Sequence, residues 1–163
     1  MRKTDADPKE PGMPATQQNL PVRTPLPEGI TILLLTPQPE DATQLRSIFH
    51  HPTWKIEHHS TVASALTRLA SCRVVVCEGE LPDGSWESVL ATIHRSGGEA
   101  PLIVVSTHAD DLLWAKVLDC GGYDVLPKPF DRAEVTRVVM MAAALRKPAA
   151  YAALQGAASA AAS

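Results

Sequence analysis

The sequence predicts an α/β fold in which five parallel strands form a doubly wound sheet between helices. Short, wholly apolar runs recur along the chain, and such runs are typical of parallel strands that are buried on both faces. Between them lie segments whose apolar residues recur at helical spacing. Five such strand and helix pairs in succession indicate right-handed crossovers above and below one sheet. A chain of 163 residues has room for one domain of this kind with a tail at each end.

The first two strand and helix pairs follow one another from residue 30. Predicted strand β1 spans residues 30–35, and predicted helix α1 begins at Pro39, which suits the first position of a helix. Predicted β2 covers residues 54–59, and Ser60 or Thr61 is expected to cap α2. The apolar faces of these helices are predicted to be Ala42, Leu45, Ile48 and Phe49 in α1, and Val62, Leu66 and Leu69 in α2.

The central strand, β3, is predicted from the unbroken β-branched run at residues 74–76, which continues through Cys77 to Glu78. A turn at residues 81–84, with the sequence Leu-Pro-Asp-Gly, closes this stretch. Helix α3 follows with apolar residues at i, i+3, i+4 and i+7, and a glycine pair ends it. These residues are Trp86, Val89, Leu90 and Ile93, then Gly97 and Gly98.

Two further strand and helix pairs complete the predicted fold. We place β4 at residues 102–105, α4 from about residue 110 to 119, and β5 at residues 123–126. Asp131 and Glu134 resemble a capping box at the start of α5. The buried stripe of α5 is predicted to consist of Val135, Val138, Val139, Ala142 and Leu145.

Composition limits the classes of function. Residues 1–29 are rich in proline and residues 148–163 in alanine, so we expect a disordered leader and a disordered tail around a domain at residues 30–147. The net charge is −3 without a basic block, and no apolar run could span a bilayer, so we expect a cytoplasmic protein that binds neither nucleic acid nor membrane. Three cysteines and six histidines lack metal-ligand spacing, so thiols and solvated imidazoles are expected, not a metal cluster.

Polar residues follow four of the predicted strands. If the strand order is the flavodoxin-like 2-1-3-4-5, the carboxyl ends of these strands converge around the switch point between β1 and β3. The side chains brought there are Thr36 and Pro37 after β1, Glu78 at the end of β3, Ser106 and Thr107 after β4, and Lys128 after β5. A lone carboxylate at this edge, Glu78, is the first functional candidate.

Four motifs at these strand ends resemble the receiver domain of two-component response regulators over residues 30–146. The motifs are ILLLTPQPED at β1, VVVCEGELPDG at β3, PLIVVSTHAD at β4 and GGYDVLPKPFD at β5. The resemblance implies a phosphoryl group accepted by an aspartate at the end of β3, Mg²⁺ held by that aspartate and by an acidic pair after β1, and phosphoryl oxygens bound by a Ser or Thr and a Lys. Lys128 and Ser106 match, whereas Glu78 replaces the aspartate and Thr36 and Pro37 replace the acidic pair.

These departures predict that Mg²⁺ binding is lost and that no cofactor is needed. Mg²⁺ requires carboxylate and water oxygens in near-octahedral geometry, and its charge is central to phosphoryl transfer. Glu40 and Asp41, at the start of α1, are interpreted as complements of the helix dipole that do not replace the pair. Glu78 is expected to pair with Lys128. It would either hold the domain near its activated conformation through a further bond to Ser106, or serve structure alone.

The remaining receiver features point to a partner surface. Val125 stands where receivers often carry an aromatic switch residue, and Tyr123, predicted on the same strand face, is a conceivable substitute. Helix α4 has more apolar residues than one buried face requires, which indicates a contact surface unless Trp114 is in the core. In receivers the α4-β5-α5 face usually carries dimers or partners.

We therefore predict a single-domain receiver that is not an enzyme. It would signal by binding a histidine kinase, an effector or a second copy, without Mg²⁺-dependent phosphorylation. Two alternatives remain at this point: phosphorylation by a partner histidine kinase at or near Glu78, and a small-molecule or redox domain on the same fold.

Overall fold

The computed structural model describes residues 29–50 and 52–145. Within them, five parallel strands form one sheet in the order β2-β1-β3-β4-β5, which confirms the predicted fold class and strand order. The strands are β1 (Thr31–Leu35), β2 (Lys55–His59), β3 (Val74–Glu78), β4 (Leu102–Ser106) and β5 (Asp124–Pro127). Apart from Gly29, the predicted leader and the predicted tail lie outside the described residues.

Within the described ranges, five helices connect and follow the strands. They are α1 (Pro39–Ile48), α2 (Val62–Ala65), α3 (Trp86–Arg95), α4 (Asp111–Asp119) and α5 (Arg132–Leu145). The side chains of Thr61, Asp110 and Asp131 each accept a hydrogen bond from the backbone three residues later, and so cap α2, α4 and α5. Among the described residues, the helices are all too short or too polar to cross a membrane.

The predicted turn after β3 is a small hairpin, in which Glu80–Leu81 pairs antiparallel with Gly84–Ser85. Asp83 at its tip accepts hydrogen bonds from the backbone N–H groups of Val62 at 2.8 Å and Ala63 at 2.9 Å. These amide donors hold the pKa of the Asp83 carboxyl below its ordinary value. The loop that follows Glu78 is thereby tied to the first turn of α2.

Each face of the sheet carries its own apolar core. Val75 and Cys77 point to the side of α2, α3 and α4, whereas Val74 and Val76 point to the side of α1 and α5. All four residues are buried, as a parallel strand between two helical layers requires. Cys72 and Cys77 are buried free thiols and Cys120 is exposed.

Two side chains predicted to lie in the core are exposed, namely Leu66 and Leu145. The regular helix α2 ends at Ala65, before Leu66. The buried side chains of this segment are Val62, Ala65 and Leu69. In α5 the buried stripe ends at Ala142 and Ala143. The last turn is held by the Arg73 side chain, which donates to the Ala143 carbonyl at 2.8 Å, and not by packing of Leu145.

We expect Gly122→Ala to destabilise the fold by about 1 to 3 kcal/mol, the usual cost of overpacking. A methyl group at Gly122 would lie 2.4 Å from Val117 Cγ1 and 2.9 Å from the Val117 carbonyl oxygen. Urea unfolding measures the loss. Gly79→Ala is the control, because a methyl group there meets nothing within 4 Å. Equal stability of the two variants would contradict the tight contact between α4 and the start of β5.

We expect the salt bridge of Glu57 with Arg68 to stabilise the protein near neutral pH and to lose its effect in acid. Hydrogen bonds from Arg68 and then Lys55 lower the pKa of Glu57 from 4.5 to about 2. A lowered folded-state pKa contributes stability above pH 4.5 that is lost as the pH falls toward 2. Arg68→Gln should therefore cost more stability at about pH 7 than at about pH 2.5 in urea unfolding. The exposed Arg46→Gln is the control and should show no such pH dependence.

Candidate functional site

The register of the sheet brings the carboxyl ends of four strands to one edge. Leu35 pairs with Cys77, Glu78 with Val105, and Ser106 with Pro127. The residues that follow these pairs therefore emerge side by side, as the strand order requires. Thr36, Glu78, Ser106 and Lys128 all lie at this edge.

Lys128 is the centre of the site. Its Nζ donates to Asp41 Oδ2 at 2.5 Å and to Glu78 Oε2. The three side chains are 11%, 16% and 15% exposed, for Lys128, Asp41 and Glu78 respectively. The site is thus one ammonium shared by two carboxylates that come from α1 and β3.

The ammonium form of Lys128 is favoured in this environment. Burial by itself lowers the pKa of Lys128, but hydrogen bonds and charge attraction from Asp41 and Glu78 outweigh burial and raise the pKa above its ordinary value. Lys128 therefore remains a cation throughout the physiological pH range.

Asp41 is the site residue that sequence reasoning missed. The sequence groups it with Glu40 as a complement of the helix dipole, yet the structure places its side chain against Lys128 in the charged pocket formed by Lys128, Asp41 and Glu78, whereas Glu40 is exposed. Asp41 is four residues before the buried Leu45, so both lie on the core-facing side of α1. That spacing, with Pro39 marking the start of the helix, was the available signal.

Thr36 and Pro37 form a closed turn where the resemblance places an acidic pair. Thr36 is fully buried, and its Oγ1 accepts a hydrogen bond from the Gln38 N–H at 3.1 Å. The carbonyl oxygen of Thr36 accepts a hydrogen bond from His58 Nε2 at 2.9 Å. His58 is therefore a partly buried structural residue and not a solvated one, whereas Pro37 is exposed at the rim.

Ser106 lies at the edge but does not join the charged group. Its Oγ accepts a hydrogen bond from the His108 N–H at 3.0 Å. Among the described residues, the hydrogen-bond partner of the Glu78 side chain is Lys128. The expected bond between Glu78 and Ser106 is therefore not made, because the hydroxyl is turned into its own loop. Thr107 is exposed and contacts the ring of His108.

A cleft of about 680 Å³ opens beside the charged group, between the hairpin and the start of α4. Its lining includes the acids Glu78, Glu80, Glu87 and Asp110. Lys116 closes one side, 2.5 Å from Glu87 and 5.6 Å from the centroid of the Trp86 ring. Across the ranges 29–50 and 52–145, no group of three or more His, Cys, Asp or Glu side chains is arranged to hold a metal ion.

The switch position and its suggested substitute lie on different sides of the sheet. Val125 is buried in the core beside α4, whereas Tyr123 precedes β5 and packs against the core beside α5. The prediction that the two share one strand face is wrong, because Tyr123 is outside the regular strand. Tyr123 borders a groove of about 280 Å³ between α4 and α5, together with Trp114, Leu118 and Met141.

We expect Lys128 and Glu78 to be energetically coupled. Removing one partner of a buried pair costs about 3 to 5 kcal/mol, and Lys128→Met should approach the lower value because each side chain keeps some solvent contact. A double-mutant cycle with Glu78→Gln measures the coupling in urea. Since the folded-state pKa of Lys128 is raised, the coupling should be complete from neutral pH up to about 10.5 and disappear as the pH rises above the folded-state value. Additive single mutants at neutral pH would contradict the pair.

The comparisons with known proteins agree with this geometry. The model of the response regulator receiver domain family matches residues 32–140. The receiver domain of the Francisella response regulator 1452 is 19% identical with a TM-score of 0.63, and the match covers 72% of this chain and 99% of that one. A signal receiver domain of an HD domain-containing protein from Pseudomonas fluorescens Pf-5 is 25% identical with a TM-score of 0.64, covering 72% and 88%.

A third structure shares the fold and holds a metal. The receiver domain of a sensor histidine kinase from Pseudomonas aeruginosa PAO1, solved with a magnesium ion coordinated in its active-site cleft, is 22% identical with a TM-score of 0.62. That match covers 71% of this chain and 98% of the other. A search of curated proteins finds no significant match. The family model matches residues 32–140, which is most of the described residues, and the sheet has the flavodoxin-like strand order that the receiver resemblance implies. This chain therefore belongs to the response regulator receiver domain family.

Proposed function

We propose that this receiver acts in two-component signalling by binding a protein partner, without a Mg²⁺-dependent aspartyl phosphorylation cycle. The observation that carries the proposal is the pairing of Lys128 with both Glu78 and Asp41. The pocket that would bind a phosphoryl group is thus already neutralised in part by its own side chains.

The donor set after β1 does not fit Mg²⁺. A magnesium site in a protein needs carboxylates and room for retained waters. Here Pro37 offers no side-chain oxygen, and the Thr36 hydroxyl is buried in a turn with Gln38. The two carboxylates at the pocket, Asp41 and Glu78, are both bonded to an ammonium. Phosphoryl transfer would have to proceed without the ion that neutralises the developing charge.

The contacts of Glu78 favour a fixed pocket over permanent activation. A side chain that imitated an aspartyl phosphate would contact both Lys128 and Ser106. Glu78 contacts Lys128, while the Ser106 hydroxyl is engaged by His108. We therefore assign Glu78 the role of a structural partner of Lys128.

The surface of α4, β5 and α5 supports binding of another protein. Trp114 is 49% exposed and Leu118 is 37% exposed, so Trp114 is not a core residue. Met141 on α5 is also exposed and borders the same groove as Trp114 and Leu118. Apolar side chains grouped on a surface mark sites of protein contact. A histidine kinase, an effector or a second copy would bind on this face.

The observations give less support to a redox or small-molecule function. Burial raises the pKa of the Cys77 thiol, which disfavours the reactive thiolate. The cleft beside Glu78 is lined by several carboxylates, unlike the mostly apolar pockets that small molecules favour.

We expect no mass gain when the protein is incubated with acetyl phosphate and Mg²⁺ and examined by intact mass spectrometry. Glu78→Asp alone should also remain unmodified, because Thr36 and Pro37 would still provide no acidic pair. The variant with Thr36→Asp, Pro37→Asp and Glu78→Asp is the matched control that restores the full set of acids and should gain a phosphoryl group.

A phosphoryl group on the wild-type protein would overturn the proposal. Its location by peptide mapping would then decide whether Glu78 or a neighbouring side chain is the acceptor, as the alternative of a phosphorylated receiver requires.

A further inference from the structure

We propose that the Lys128 ammonium is a resident cation of this pocket, held by Glu78 and Asp41 in place of a divalent metal ion. This inference rests on the proposed function, since it explains how the pocket is neutralised without Mg²⁺. It assigns Asp41 a role that the receiver motifs do not assign.

The geometry of the ammonium supports the proposal. Three separate elements meet at one atom, because Asp41 comes from α1, Glu78 from the end of β3 and Lys128 from the end of β5. Lys128 Nζ lies 2.5 Å from Asp41 Oδ2 and is bonded to Glu78 Oε2. An ammonium has three N–H donors, and two of them are directed at carboxylate oxygens.

Burial makes this arrangement different from a surface ion pair. All three side chains are less than one fifth exposed, so water screens the charges only in part. Two carboxylates that contact one nitrogen repel each other unless a cation lies between them. The ammonium supplies that charge and is covalently tethered, so it cannot be diluted or chelated away.

The chain contains a matched comparison in Lys116. Lys116 Nζ also lies 2.5 Å from a carboxylate, that of Glu87, and both residues line the cleft that Glu78 borders. Lys116 and Glu87 are 59% and 41% exposed, and Lys116 pairs with one acid instead of two. Lys116 therefore has the charge of Lys128 without its setting between two buried acids.

Removing the ammonium should convert the pocket into a weak site for divalent cations. In Lys128→Met, Asp41 and Glu78 would share a pocket without a counter-charge, and two carboxylates with water are a common ligand set for hard cations. We expect Mg²⁺ and Mn²⁺ to bind this variant with a Kd of about 1 mM, in the range of the weaker oxygen-ligand sites. The wild-type protein should not bind either ion at about ten times that concentration.

Thermal unfolding with each metal ion tests this directly, because a ligand that binds the folded state raises Tm. Lys128→Met should gain several degrees with about 10 mM Mg²⁺ or Mn²⁺, and Mn²⁺ should broaden the amide NMR signals around Asp41 and Glu78. Neither effect is expected for wild type, for Lys116→Met, or for the double variant Asp41→Asn with Lys128→Met.

The outcomes separate this inference from the proposed function. If Lys128→Met is as insensitive to the ions as Lys116→Met, the resident-cation inference is wrong, while the lack of phosphorylation in wild type stands. If the wild-type protein itself binds Mg²⁺ at the pocket, both the resident-cation inference and the proposed function are wrong.

A second measurement needs no destabilised variant. The pKa of Lys128 can be followed by NMR of its side chain in the wild-type protein, in Asp41→Asn and in Glu40→Gln. We expect a lower Lys128 pKa in Asp41→Asn, because one of its two carboxylate partners loses its charge. Glu40→Gln, a substitution at the neighbouring exposed acid, is the control and should leave the pKa of Lys128 unchanged. An unchanged pKa in Asp41→Asn would show that Asp41 does not hold the ammonium.

Discussion

Parallel strand pairing with both faces covered is the constraint from which the other features of this molecule follow. A strand such as β3, buried on both sides, must be apolar where helices cover it, which here is from Val74 to Cys77. Charged side chains on such a strand can then lie only at its ends. Because the strands are parallel, their carboxyl ends lie at the same edge of the sheet. Glu78 and Lys128 meet for this reason, although 50 positions separate them in the sequence.

At that edge the decisive balance is between desolvation and charge pairing. Partial burial of an ammonium or a carboxylate is unfavourable unless an opposite charge compensates it. Lys128 has two such partners and a raised pKa, so the compensation exceeds the cost for the lysine. A pocket that satisfies its charges internally has less to gain from a metal ion or a phosphoryl group, which links the local energetics to the proposed mode of signalling.

The sequence was sufficient for the fold and for most of the positions at the edge. Apolar runs and helical spacing place the strands to within a residue or two, because burial on both faces leaves few other patterns. Side-chain direction was harder to predict. Asp41 was missed because an acid in the first turn of a helix has an ordinary explanation in the helix dipole. The Ser106 hydroxyl was assigned to Glu78, yet a backbone N–H two residues away is a nearer partner. Leu145 fits the helical period of α5, but the buried part of that helix ends at Ala143, so Leu145 is exposed.

The strand order also determines when the charged group can form during folding. Ile32 pairs with Val74 and Val75 with Leu102, so the centre of the sheet is assembled from segments that are distant in the chain and not from local hairpins. Such non-local closure slows folding. Asp41 and Lys128 are 87 positions apart and meet only when α1 and β5 have both docked on the sheet. We infer that this contact forms after the central strands have paired, so that its loss would mainly accelerate unfolding. The charged pocket would then slow the opening of the folded domain and would have little influence on the rate at which the sheet forms.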